Sequence, residues 1–176
     1  MTKSVQAKQV DPQAIRAELE ETRVAFHALL ATIPDDAFEQ ATRNPAWNVR
    51  QMLYHIVMAV EMLPQDIKLI RKGRLISPPA WLFNRVNVYV TRWRARNHTR
   101  ESLAIAYDKA HAAVLAIMDD MQAGEWSLTG KYPAVGGELT GGERSIAMMY
   151  HYLSQHFQEH LPEFDRWRTG GQNGHE

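Results

Sequence analysis

The chain has 176 residues, 45% hydrophobic and 23% charged, which suffices for one core of ordinary domain size and excludes an intrinsically disordered protein. Twenty basic residues balance twenty acidic ones, so no net field exists to hold a nucleic-acid backbone or an anionic membrane. With no cysteine there are no disulfides and no thiolate ligands, leaving histidine and carboxylate as the metal-binding side chains. Met1 to Val10 is polar, without a hydrophobic signal segment, and charge or proline interrupts every apolar stretch. These features predict a cytoplasmic protein with a small-molecule partner, not a nucleic acid or a membrane.

Apolar residues recur at three and four positions in segments longer than strands, and no period-two alternation accompanies them, so the prediction is an all-α protein. A polar tail, residues 1–10, precedes a helical domain over 11–168. Asp11-Pro12 starts a first helix whose buried face is Ile15, Leu19, Val24, Phe26, Leu29, Leu30 and Ile33, and Pro34 ends it. After a polar linker, Asn48 and Gln51 nearly match a capping box, placing the start of a second helix near Val49. Its inner stripe is Met52, Ile56, Ala59, Val60 and Leu63, and Pro64 is expected to kink or break it. Beyond Gly73 to Pro79, Trp81 to Arg96 forms an additional aromatic and basic helix. Asn97 or Thr99 caps the next, which buries Leu103, Ala106, Ala110, Val114, Ile117, Met118 and Met121 and ends near Gly124. Glu125 to Gly142 holds six glycines and prolines and is expected to be a long loop. Thr140 with Glu143 makes a capping box for a final helix, Gly142 to Arg168, burying Ile146, Met149, Leu153, Phe157, Leu161 and Phe164. A glycine-rich tail, 169–176, frays beyond it.

His156 and His160, four residues apart on that last helix, project from one face about a turn apart, within reach of a shared metal. Leu153, Phe157, Leu161 and Phe164 set both rings at the edge of the buried stripe, where an imidazole needs a partner. His55, beside Met52 and Ala59 on the second helix, faces the same core and would complete a three-nitrogen site. Spacing alone leaves the other reading open, in which each ring donates to a carbonyl or packs at the core edge.

The run Trp47-Asn48-Val49-Arg50-Gln51-Met52-Leu53-Tyr54-His55, with His156-Phe157-Gln158-Glu159-His160 roughly a hundred residues later, resembles the DinB-like metalloenzyme superfamily. The resemblance covers residues 11 to 168. It implies a four-helix bundle, here with one additional helix between the second and third. It also implies one divalent metal, zinc first and nickel or another ion next, on His55, His156 and His160. Characterised members use a small thiol such as bacillithiol, mycothiol or glutathione for transfer or isomerisation. The segment Trp81 to Arg96 departs from the family by its size.

Three neutral nitrogen ligands leave a cation its full charge and an open position, which suits activation of a thiol or water. With no cysteine in the chain, an attacking thiol comes from solution. The leading expectation is therefore transfer of a low-molecular-weight thiol to an electrophile in detoxification or stress response. A metal-dependent hydrolase and a non-catalytic metal- or ligand-binding stress protein are the alternatives. Gln51 precedes His55 by four residues and Tyr152 precedes His156 by four, so both are candidates to contact substrate. Glu159 and His151 fall off the ligand face, and His27, His98, His111 and His175 lack a partner at ligand spacing. Arg92, Arg94, Arg96 and Arg100 with Trp93 form a basic aromatic patch suited to an acidic ligand or to plain solvation. Trp81, Phe83, Tyr89 and Trp93 would serve as a pocket wall, ordinary packing or a homodimer interface.

Overall fold

The computed structural model describes residues 10–74, 79–132 and 142–168. Both expected tails, apart from Val10, lie outside the described residues, as do Thr140 and His175. Helix α1, Pro12–Thr32, begins where the Asp11 carboxylate accepts from the backbone N–H groups of Gln13 and Ala14 at 3.0 and 3.2 Å. It ends at extended Ile33, because the residue before a proline is pushed out of the helical region. Val24, expected inside, is 57% exposed. It stands two residues from buried Thr22 and Phe26, about 200° around the helix from each.

Helix α2, Val49–Arg71, starts with a full capping box: Asn48 Oδ1 accepts from Gln51 N at 2.9 Å and Gln51 Oε1 accepts from Asn48 N at 3.2 Å. Pro64 lies inside this helix and does not break it. Buried Leu63, Ile67 and Ile70 hold both sides of the missing donor against the core. Helix α3, Ala80–Ala95, packs on α2 through buried Thr91 and Ala95. Helix α4, Arg100–Asp119, carries a second capping box, between Thr99 and Ser102. It stops short of Gly124, and a 3-10 turn at Ala123–Ser127 buries Trp126.

The expected long loop contains a hairpin. Strand β1, Thr129–Tyr132, pairs antiparallel with β2, Gly142–Ser145, so that Thr129 faces Ser145 and Tyr132 faces Gly142. Thr-Gly-Lys-Tyr and Gly-Glu-Arg-Ser hold too few apolar residues to show an alternating pattern. Of the expected Thr140–Glu143 cap, Thr140 lies outside the described residues and Glu143 sits in β2 opposite Lys131, ahead of the helix. Ser145 caps instead, its Oγ accepting from Met148 N at 3.3 Å, and α5 runs Ile146–His160. The single long final helix is divided: Pro162 falls within a 3-10 turn, Leu161–Phe164, before the short α6, Asp165–Arg168.

Helices α1, α2, α4 and α5 form the bundle, with α1 and α2 each packed on both α4 and α5. Arg16 pairs with Asp119 while Arg100 reaches the carbonyls of Leu30 and Ile33, so α1 and α4 are antiparallel. The Glu18–His151 and Thr22–Ser154 bonds make α1 and α5 parallel. At one end Arg50 bonds the Arg96 carbonyl and at the other Arg71 bonds Asp120, so α2 and α4 run the same way. A parallel pair needs a crossover, and the segment bearing α3 supplies it. Phe26 stacks on Tyr107 at 4.3 Å and meets Phe157 edge-on at 6.4 Å, closing the core between α1, α4 and α5. Each such ring contributes about 1.5–3 kcal/mol by burial.

Candidate metal centre

Opposed directions of α2 and α5 bring the first turns of one beside the last turns of the other. His55 lies in the second turn of α2, and His156 and His160 in the last two turns of α5. Ring centroids are 4.8 Å apart for His55 and His156, 5.1 Å for His55 and His160, and 4.5 Å for His156 and His160. One ligand nitrogen from each ring lies within 4.8 Å of the other two; nitrogens that share a tetrahedral zinc stand closer than this, so the rings draw together when a cation binds.

Burial makes the cluster more than a coincidence of spacing. His55 and His156 are 9% and 6% exposed. Nδ1 of His55 and Nε2 of His156 are both buried without a hydrogen-bond partner. An uncompensated polar atom of this kind costs about 1–3 kcal/mol, and two in one cluster point to a ligand that satisfies both. Desolvation, with His160 adding to it, pushes the His55 imidazole down to about 3. Burial and then the neighbouring rings also lower His156, while burial lowers His160 against the opposing pull of Glu163. The rings are therefore neutral, with lone pairs available, across the physiological range.

Surrounding groups hold the rings in place. Trp47 lies on His55, with centroids 4.3 Å apart and planes tilted by 34°. The linker carrying Trp47 is tied to the turn after α5 by Asn44 N donating to Glu163 Oε2 at 2.8 Å and by Arg43 pairing with Asp165 at 3.2 Å. Arg166 also bonds Gln40. Tyr152, a candidate for substrate, instead touches the back of a candidate ligand: its hydroxyl is 2.8 Å from His156 Nδ1. When that nitrogen carries the proton and donates to the phenol oxygen, the lone pair of Nε2 faces the cluster. Gln51 keeps its amide oxygen in the α2 capping box and lines a cleft against Trp47.

The remaining described histidines have protein neighbours of their own. His27 lies 2.7 Å from Asp108, His151 2.6 Å from Glu18 and His111 3.7 Å from Glu20, while His98 stacks on Tyr54 and bonds Ser102. Glu159 is exposed. The arginine patch is dispersed: Arg92 bonds the Ala46 carbonyl, Arg94 pairs with Glu61, Arg96 lies over Trp93 and Arg100 pairs with Asp35. Trp81, Tyr89 and Trp93 are 65%, 72% and 56% exposed and stand at the surface. Sequence spacing did not indicate the Glu163–Asn44 tie, because its partners are 119 residues apart.

Fold and cluster together define a four-helix bundle with a three-histidine candidate metal centre at one end. A family model of the DinB superfamily matches residues 18–163, and the chain belongs to that superfamily. Its fold is similar to the crystal structure of a mycothiol-dependent maleylpyruvate isomerase, with a TM-score of 0.67 and 9% identity over 88% of this chain and 61% of that one. A histidine-to-alanine variant of the same isomerase matches with the same figures. The chain thus spans about three-fifths of the length of these structures, and at this identity the likeness concerns the fold. No curated protein matches it. Among the described residues no helix is long and apolar enough to cross a membrane.

Proposed function

We propose that the chain is a metal-dependent enzyme that joins a low-molecular-weight thiol to an electrophilic small molecule, with one divalent ion, zinc first, on His55, His156 and His160. The observation that carries this reading is the pair of buried, unsatisfied ring nitrogens inside a three-imidazole cluster. A divalent ion bound there supplies Lewis acidity and brings the acidity of a thiol or water close to neutral pH.

The chain's own part is orientation and desolvation. Burial keeps the imidazoles unprotonated, Tyr152 selects the ring nitrogen that His156 presents, and Trp47 fixes the plane of His55. Because the chain has no cysteine, the sulfur nucleophile arrives with a second substrate. That thiol gives up its proton and its sulfur forms a bond to an electrophilic carbon. With an activated alkene, the displaced π pair takes up a proton on the adjacent carbon, so thiol and alkene become a thioether without another reactant. The similarity to a mycothiol-dependent isomerase supports thiol dependence, and a conjugating role suits detoxification or stress defence.

The test is metal analysis followed by turnover. Protein purified without an affinity tag is expected to carry about one equivalent of zinc or nickel per chain. Metal-dependent consumption of an activated alkene is expected with at least one of glutathione, bacillithiol and mycothiol. Turnover of an ester without any thiol would select hydrolysis, and inactivity with all three thiols would remove the transferase reading.

A further inference from the structure

Trp47 lies against His55 of the histidine cluster and also lines a cleft of about 380 Å³ with Glu39, Asn48, Gln51 and Arg92. The uncommitted side-chain polar groups of this cleft are donors. Glu39 is already taken, its oxygens bonded to Arg50 at 2.5 Å and to the Asn48 amide at 2.8 Å. Asn48 Oδ1 accepts from Gln51 N, and Gln51 Oε1 accepts from Asn48 N, which leaves the Gln51 amide N–H groups for the cleft. Trp47 is 7% exposed, and its indole N–H is buried without an acceptor. Arg92 Nε and Nη2 both donate to the Ala46 carbonyl, at 3.0 and 2.6 Å, so that carbonyl holds the guanidinium at the rim. No carboxylate of the described residues lies within ion-pair distance of Arg92.

A fixed cation, an orphan indole N–H and a primary amide around one opening call for an anionic acceptor of small size. We propose that this cleft is a carboxylate-binding pocket that receives the acid group of a substrate whose reacting end lies at the histidine cluster. A planar carboxylate accepts from Arg92 and Gln51 at the rim and from the indole N–H deeper in. Assigning the pocket to substrate rests on the function proposed above; its affinity for a carboxylate does not.

The probe is succinate, with its diamide as the neutral control, titrated into zinc-loaded protein. The readout is the indole 15N–1H resonance of Trp47, assigned with Trp47→Phe. Succinate is expected to shift that resonance saturably while succinamide leaves it in place. Arg92→Gln is expected to weaken succinate about tenfold or more, the loss of one charge-assisted contact, with zinc content unchanged. Chelator-treated protein is expected to keep the succinate response, so failure of the metal reading and failure of the pocket are seen separately. Displacement by glutathione but not cysteamine assigns the acid group to the thiol. Displacement by maleate but not maleamide assigns it to the electrophile, and either result upholds the pocket. An unmoved Trp47 resonance, or equal succinate affinity in Arg92→Gln, would overturn it.

Discussion

Two groups of histidines occupy this bundle, and their environments differ in one respect. On the face shared by α1, α4 and α5, His27, His111 and His151 each stand near a carboxylate: Asp108, Glu20 and Glu18; His111 Nε2 makes no hydrogen bond, but Glu20 lies 3.7 Å from it. At the other site His55, His156 and His160 stand near one another, and two of their nitrogens meet nothing. A carboxylate neighbour explains a histidine by itself. Three clustered imidazoles, of which only His160 feels a carboxylate, Glu163, are explained by a cation, since neutral rings gain little from mutual proximity and protonated ones repel.

The largest effect expected from this contrast comes from His156→Ala, which should abolish stoichiometric metal binding when the protein is dialysed against zinc and analysed by elemental methods. Full occupancy in that variant would erase the distinction between the two groups. Next comes Tyr152→Phe, which removes the partner of His156 Nδ1 and leaves the ring. Metal affinity should fall about 10- to 100-fold in a competition titration, with the melting point of the metal-free protein little changed.

The two groups should also respond to acid in different windows. With metal stripped, the folded-state value of His55 is about 3, below its unfolded value near 6.5. The unfolded state binds the proton first, so stability falls as pH drops from about 6.5 toward 3, by about 1.4 kcal/mol per unit from this ring. His55→Gln should flatten the slope of chemical-denaturation free energy against pH by about one proton. On the opposite face burial raises Asp108, but hydrogen bonds from His27 and Arg23 outweigh it and hold the carboxyl below its ordinary value. Its contribution persists above the ordinary carboxylate range and is lost only as pH falls through the lowered value. The smallest effect belongs to His151→Gln, which removes a surface pair, should cost no more than about 1 kcal/mol and should leave metal content unchanged.

Periodicity and caps carried most of the fold. Asp11-Pro12, Asn48 with Gln51 and Thr99 mark helix starts because short side chains satisfy orphan N–H groups within the same few residues. The hairpin was not legible, since its pairing joins short strands through cross-strand bonds and leaves little pattern in either one. Glu143, read as the third residue of a helix, misled for the same reason: it pairs with Lys131 in the hairpin, and the helix starts later, at Ile146. The division of the last helix was visible in Pro162, but apolar Leu161 and Phe164 continued the stripe across it. The histidine cluster was partly legible. The spacing of His156 and His160 follows from the helix repeat, whereas the approach of His55 depends on antiparallel packing of two distant helices. The cleft needed the structure, because its donors come from the linker, α2 and α3.

Anomalous diffraction at the zinc edge, on crystals grown with zinc from tag-free protein, addresses the cation directly. A single strong peak is expected about 2.0–2.1 Å from one nitrogen of each of His55, His156 and His160. Three rings bonded to waters or backbone oxygens, with no peak among them, would contradict the account.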